Sequence, residues 1–275
     1  MTDEATAFVP GHITGFFSAH HADDPTKAGS RGAGLTLTDG VTVTVRPAEK
    51  SELLLEGEPI DVEPVWTVLE TLEVRARVAV ESELPLGAGF GVSGAMALGT
   101  ALAANRVFDR KLSANELVTI AHGAEVKAGT GLGDVVAQAH GGVPIRLEPG
   151  GPQHNALDAV PARARVEYVS FGELSTADVL SGDTDQLTAA GRQALSRIVE
   201  EPTLPSFIYA SRRFAREAEL LTPRVREALE DVAAVDGHAS MAMLGETVFA
   251  LGMGLSDAGY EPSVCATHPA GATLK

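Results

Sequence analysis

Apolar and polar residues alternate without a break from Leu35 to Val45 (LTLTDGVTVTV), on either side of Asp39-Gly40. Alternation of period two predicts half-buried strands. An Asp-Gly between them predicts a hairpin closed by a type I′ turn, which needs positive φ at both central residues. Val74 to Glu81 alternates again and predicts another strand. The period then changes. Ser93 to Phe108 is mostly small and apolar with no breaker after Gly99, which predicts a buried helix. Ser113-Ala-Asn-Glu116 has the form of a capping box, opening a helix that should reach about Lys127. A glycine loop, Gly129 to Gly133, leads into a short helix ended by Gly141-Gly142, and Val143 to Leu147 reads as a strand. Glu148 to Arg165 is rich in Pro, Gly, His and Asn and marks a boundary between residues 1–150 and 151–275. Beyond it lie a strand at Val166–Phe171, helical stretches at about 183–199, 205–220 and 223–234, and a strand around Thr247–Leu251. Strands and helices mix without strict βαβ alternation, so the expected class is α+β in two lobes.

Composition narrows the function. The chain has 275 residues, 44% hydrophobic and 21% charged, as a folded globular protein does. Its formal net charge is −16, from 21 Lys+Arg against 37 Asp+Glu. A nucleic-acid binder needs a basic face to release counterions, and an anionic membrane surface repels the same sign, so neither partner is expected. Cys265 stands alone, which excludes an internal disulfide, and no run reaches the length of a membrane span. The N-terminus lacks a basic and apolar leader, so a cytoplasmic protein is expected. The basic residues comprise 5 Lys and 16 Arg. An acidic, lysine-poor surface is the composition of a protein kept hydrated in high salt.

The sharpest chemical feature is Pro85 to Met96 (PLGAGFGVSGAM), between a strand and a buried helix. Glycines at 87, 89 and 91 let backbone N–H groups curl inward, and the helix that follows adds free amides and its positive end. Gly87, Ala88, Gly89, Gly91, Ser93 and Gly94 are therefore candidate phosphate-binding residues. No Gly-Lys-Ser/Thr follows, so this is not a Walker A loop. Residues 89–94 do fit GxGxxG, with Asp109 downstream. A dinucleotide fingerprint needs the strand to run straight into the turn and a second strand to carry the acid. Pro85-Leu86 interrupts the first, and Asp109 follows a helix.

Two further clusters hold candidate chemistry. Glu125 and Asp134 flank the loop Gly129-Thr-Gly-Leu-Gly133, and Asp134 opens a short helix. Near the N-terminus lie Val9-Pro10-Gly11-His12-Ile13-Thr14-Gly15-Phe16-Phe17, His20-His21 and Gly29-Ser30-Arg31-Gly32-Ala33-Gly34. Neighbouring side chains on a strand diverge and no HExxH or Cys/His set accompanies His20-His21, which argues against a metal. Arg31, in a small-residue loop, could grip a carboxylate with two parallel hydrogen bonds.

In their order along the chain these pieces resemble the GHMP kinase superfamily. Ala7 to His12 is similar to its first motif, with His12 where several members have lysine. Pro85 to Ala95 resembles its ATP phosphate loop, with Phe90 for Leu and Val92 for the first Ser. Asp134 followed by Gly141-Gly142 resembles the stretch holding the catalytic aspartate. The third motif fits least well: Ser240 to Phe249 (SMAMLGETVF) keeps one glycine. PGHITGFF, GSRGAG and SMAMLGETVFA are similar to the archaeal pantoate kinase branch.

The resemblance implies a ribosomal S5 domain 2-like first lobe and a ferredoxin-like second lobe, with nucleotide between them. It also implies transfer of a phosphoryl group from ATP, with Mg²⁺, to the 4-hydroxyl of pantoate. Ser93 and Glu125 would hold Mg²⁺, and Asp134 would orient or deprotonate the hydroxyl, with His12 beside it. Arg31 would take the pantoate carboxylate, Ser30 and His21 being weaker candidates. Phe16, Phe17 and Leu132 would meet the dimethyl carbon. A homodimer stays open. The rival readings are another small-alcohol kinase acting on mevalonate, homoserine or shikimate, a non-catalytic binding protein on the same fold, and an oxidoreductase on a dinucleotide fold.

Overall fold

Two long strands carry the architecture of the computed structural model. β1 (Ala5–His20) and β2 (Gly29–Pro47) pair antiparallel from Ala5↔Val45 to His20↔Gly29. The structure describes residues 2–173, 185–243 and 245–275.

The predicted hairpin at Asp39-Gly40 does not form. β2 runs straight through that dipeptide, and the chain reverses over residues 21–28 instead. The reason lies in the phase of the alternation. A two-residue turn pairs its flanking residues on one face, which would set Leu35 and Leu37 on the face opposite Val41, Val43 and Val45. A continuous strand keeps all five on one side, and all five are fully buried. Between the pairs Pro10↔Gly40 and His12↔Thr36, only Gly11 faces residues 37–39. This bulge adds an even surplus and preserves the phase. It also receives the second lobe: the Tyr168 hydroxyl donates to Asp39 (3.1 Å), the Ala266 amide to Thr38 Oγ1 (3.0 Å), and Leu37 bridges Thr267.

The first sheet is completed by β3 (Glu52–Leu55), β4 (Glu58–Pro59) and β5 (Ala76–Ser82), with α1 (Glu63–Thr71) between β4 and β5. Then come α2 (Val92–Val107), α3 (Ala114–Ala128), α4 (Asp134–His140), β6 (Pro144–Glu148) and β7 (Ala156–Ala159). The capping box at Ser113 forms as expected. β7 pairs with β6, which pairs with β2, so the Pro/Gly-rich stretch after residue 148 returns to this sheet. The sheet order is β12-β1-β2-β5-β3-β4, with β12 at Thr273–Leu274. Only β3 and β5 pair parallel among the described strands. A dinucleotide fold requires a mostly parallel sheet wound on both faces, and this sheet excludes it.

The second lobe starts with β8 (Arg165–Glu173). It continues through α5 (Asp185–Glu200), α6 (Leu204–Glu217), α7 (Pro223–Ala234), β9 (His238–Ala242), β10 (Gly245–Leu251), α8 (Gly254–Asp257) and β11 (Ser263–Ala266). The first two positions of the helix expected from 183, and Leu244 of the third motif, lie outside the described residues. The sheet order β11-β8-β10-β9, antiparallel throughout, is the split βαβ arrangement of a ferredoxin-like sandwich. The lobes meet through aromatic rings on β1: Phe16 packs on Phe207 (6.3 Å) and Phe17 on Phe214 (5.8 Å), both on α6. Each lobe thus covers one part of the same long hairpin, and the cleft lies where they join.

Candidate active site

The phosphate loop joins β5 to α2. Gly87, Gly89 and Gly91 all have positive φ, and Gly91 (φ 62°) caps α2. At Gly91 a Cβ would lie 3.0 Å from Asp134 Cβ and Oδ1, so backbone conformation and close approach both select glycine. Three contacts pin the loop. The His12 amide of β1 donates to the Phe90 carbonyl (2.9 Å), Gln138 Nε2 of α4 to the Gly91 carbonyl (2.9 Å), and Thr247 Oγ1 of β10 to the Ala88 carbonyl (2.9 Å). Gly245, the glycine retained in the third motif, has a role here. A Cβ there would overlap the Ala88 carbonyl, so glycine lets the second lobe touch the loop.

Around the loop opens a narrow cleft, lined in part by Gly87, Gly89, Gly91, Ser93, Ser30 and Asp134. Its chemistry is a chain of charged groups. Asp134 opens α4 with its side chain 20% exposed, and His12 Nδ1 is 2.7 Å from its Oδ1. His12 is wholly buried, and that desolvation pulls its pKa below the ordinary value despite the carboxylate beside it. The ring is therefore neutral, with Nδ1–H donating to Asp134 and Nε2 bare and without a hydrogen-bond partner. Burial by itself would raise Asp134. The hydrogen bond from His12 and the positive charge of Arg146 outweigh it and hold the carboxyl below its usual range. Asp134 is thus ionised and aimed into the cleft.

Glu125 sits deeper, 2% exposed on α3. Burial and the nearby Asp134 push it up to about 7, although Ser93 Oγ donates to its Oε2 at 3.2 Å. Its Oε1 has no partner. An orphaned buried carboxylate oxygen beside a hydroxyl suits a hard divalent cation, which takes oxygen ligands. The donor set present therefore fits Mg²⁺.

Arg146, on β6, is the residue the sequence reading missed. It is 1% exposed, lines the cleft, and its Nε and Nη1 have no hydrogen-bond partner. Burial lowers its pKa to about 10, still far above neutral, so it is a buried positive charge awaiting an anion. The signal available in the sequence was a lone Arg inside the apolar strand Val143–Leu147.

The structure separates the other sequence candidates. Ser30, Phe17 and Leu132 line the cleft, and Ser30 Oγ donates to the Leu132 carbonyl (3.2 Å). Arg31 does not join them. Adjacent strand residues point to opposite faces, so with Ser30 turned inward Arg31 turns out and pairs with Glu148 (2.6 Å). His21 lies exposed in the turn after β1, outside the cleft lining. Phe16 is buried against Phe207 and is not part of the lining. Ala88 and Gly94 sit behind the loop: Ala88 is 1% exposed, and a Cβ on Gly94 would meet Val135 at 3.1 Å. Among the described residues no group of three or more His, Cys, Asp and Glu side chains is placed to hold a metal by itself.

Residues 62–142, from α1 through the loop to Gly142, match the family model of the GHMP kinases N-terminal domain. Pantoate kinase from Thermococcus kodakarensis is 37% identical over 262 residues, covering 89% of this chain and 86% of its own. Pantoate kinase from Methanospirillum hungatei is 35% identical, covering 90% of this chain and 87% of its own. A solved structure described as a phosphotransferase related to the CoA biosynthesis pathway superposes with a TM-score of 0.87 at 31% identity, covering 99% of this chain and 98% of that one. With likeness sustained over nearly the full length of these relatives, through both lobes and the loop between them, the chain belongs to the pantoate kinase family of GHMP kinases.

Proposed function

We propose that the chain transfers the γ-phosphoryl group of ATP to the 4-hydroxyl of pantoate, forming 4-phosphopantoate on a route to coenzyme A. One observation carries the assignment beyond family membership: a fully buried guanidinium, Arg146, has unpaired N–H donors in the same cleft as the ionised Asp134. An acceptor that presents a carboxylate to Arg146 can offer a hydroxyl to Asp134.

In this reading the amides of residues 87–94 cradle the phosphates. Ser93 and Glu125 would hold Mg²⁺, which when bound neutralises phosphate charge. Asp134 accepts the proton of the acceptor hydroxyl as its oxygen bonds to the γ-phosphorus, the bond to the β-phosphate oxygen breaks, and ADP leaves. His12 keeps Asp134 ionised and fixes its orientation. Arg146 takes the carboxylate role first expected of Arg31, Ser30 keeps the lesser role expected of it, and Phe17 and Leu132 offer apolar contact to the dimethyl carbon. The archaeal relatives, the net charge of −16 and the scarcity of lysine support an archaeal, salt-adapted cytoplasmic enzyme. No described helix is long and apolar enough to cross a membrane.

The test is a panel of pantoate, mevalonate, homoserine and shikimate with ATP and Mg²⁺, scored by ADP release. Pantoate should lead by a wide margin in kcat/KM. Preference for another acceptor would overturn the assignment, and no release with any of them would favour a binding protein.

A further inference from the structure

One recess on the second lobe is rich in arginine although the lobe around it is acidic. On the lobe's helical side this second cleft, of about 660 Å³ and open to solvent, lies among α5, α6 and α7. Five arginines line it: Arg197, Arg212, Arg213, Arg216 and Arg226. The chain has only 16, so nearly a third of them gather in one concavity of a protein with net charge −16. Against them stand two lining carboxylates, Glu201 and Glu230, and one histidine, His238.

The pairing is incomplete. Arg197 is bound to Glu201 (3.2 Å), and Arg213 to Glu217 (2.6 Å). Among the described residues no ion pair or side-chain hydrogen bond engages Arg212, Arg216 or Arg226. Arg212 and Arg216 stand four apart on α6, on one face of the helix, where like charges repel. Each guanidinium offers five donors in a planar fork. The floor is apolar, with Ile208 and Leu229 buried, and Tyr209 stands at the rim, 53% exposed, its ring covered on one side by Arg197.

We infer that this cleft is a second anion-binding site, for the phosphate chain of a nucleotide-sized phosphorylated metabolite. Three unpaired guanidiniums in a recess give a focused positive field, and phosphate oxygens satisfy such forks better than water does. The site is separate from the phosphate loop and shares no lining residue with the first cleft.

Binding stoichiometry tests the inference without depending on turnover. Labelled ATP is titrated into the full chain at one fixed potassium chloride concentration, without acceptor. The wild type should bind two equivalents, and inorganic triphosphate should displace the weaker one. In Arg212→Gln/Arg216→Gln/Arg226→Gln, which keeps good helix formers on exposed or half-buried positions, the weaker event should fall at least tenfold while ADP release with acceptor is unchanged. Lysine at the same three positions should restore part of it. One equivalent in both proteins, or two equivalents of unchanged affinity in both, overturns the inference. An acidic protein segment in the cleft would belong to the first of these outcomes.

Discussion

Glu125→Gln should stabilise the metal-free protein while crippling its chemistry. The carboxyl is 2% exposed, has one oxygen without a partner, and rises from its ordinary 4.5 to about 7 on folding. Between those values the folded state holds a proton that the unfolded chain has released, so stability falls as pH rises through this window. Above it the ionised group costs about 3 kcal/mol, at roughly 1.4 kcal/mol per pH unit. Glutamine keeps an acceptor for Ser93 Oγ and carries no charge, so the variant escapes that cost. With chelator present, thermal unfolding at pH 8 should show the variant more stable by roughly 6–12 °C, given about 2–4 °C per kcal/mol in chains near this size. At pH 4.5 the two curves should nearly coincide. Saturating Mg²⁺ should narrow or reverse the gap, because a cation bound only by the folded wild type stabilises it alone. A gap that ignores pH, or a variant less stable than wild type at pH 8 without metal, would refute the reasoning that Glu125 is a strained, cation-seeking carboxylate.

The remaining predictions separate chemistry from recognition. Asp134→Asn retains an acceptor for His12 but loses charge and basicity, so kcat should fall roughly 10²–10⁴-fold with ATP binding little changed, as read by steady-state rates and nucleotide titration. Near-normal turnover would mean that Asp134 is only a helix-start acid. Arg146→Lys should raise KM for pantoate by roughly 10–100-fold, the worth of a charged hydrogen bond in a buried site. Arg31→Lys, paired with Glu148 at the surface, should stay within about twofold in both constants.

The sequence by itself determined most of the elements and the chemistry of the nucleotide side. Alternation located β5, small apolar residues located α2, and Ser113-Glu116 opened α3, because these signals are local and depend on backbone preference. The phosphate loop was legible for the same reason: glycines at 87, 89 and 91 reflect conformations that few other residues adopt. Spacing also put acids, Glu125 and Asp134, on either side of a second glycine loop, while the roles of Asp134, Glu125 and Ser93 came from the resemblance to the GHMP kinases.

What the tertiary structure decided was which way side chains face and what lies across from them. Asp39-Gly40 has the local chemistry of a turn, yet a turn there would have split five apolar residues between two faces. Burial of one continuous face overrode it, and the dipeptide became the bulge that receives the second lobe. Arg31 and Ser30 are adjacent in sequence, and strand geometry sends only one of them into the cleft. The anion receptor, Arg146, arrives from a strand more than a hundred residues downstream, and its lack of a partner is visible only once its neighbours are known. The single glycine of the third motif looked like a loss until its approach to Ala88 gave it a purpose. Local propensity is written in neighbouring residues, whereas desolvation, orientation and unpaired charge are properties of the folded surroundings, which only the tertiary structure supplies.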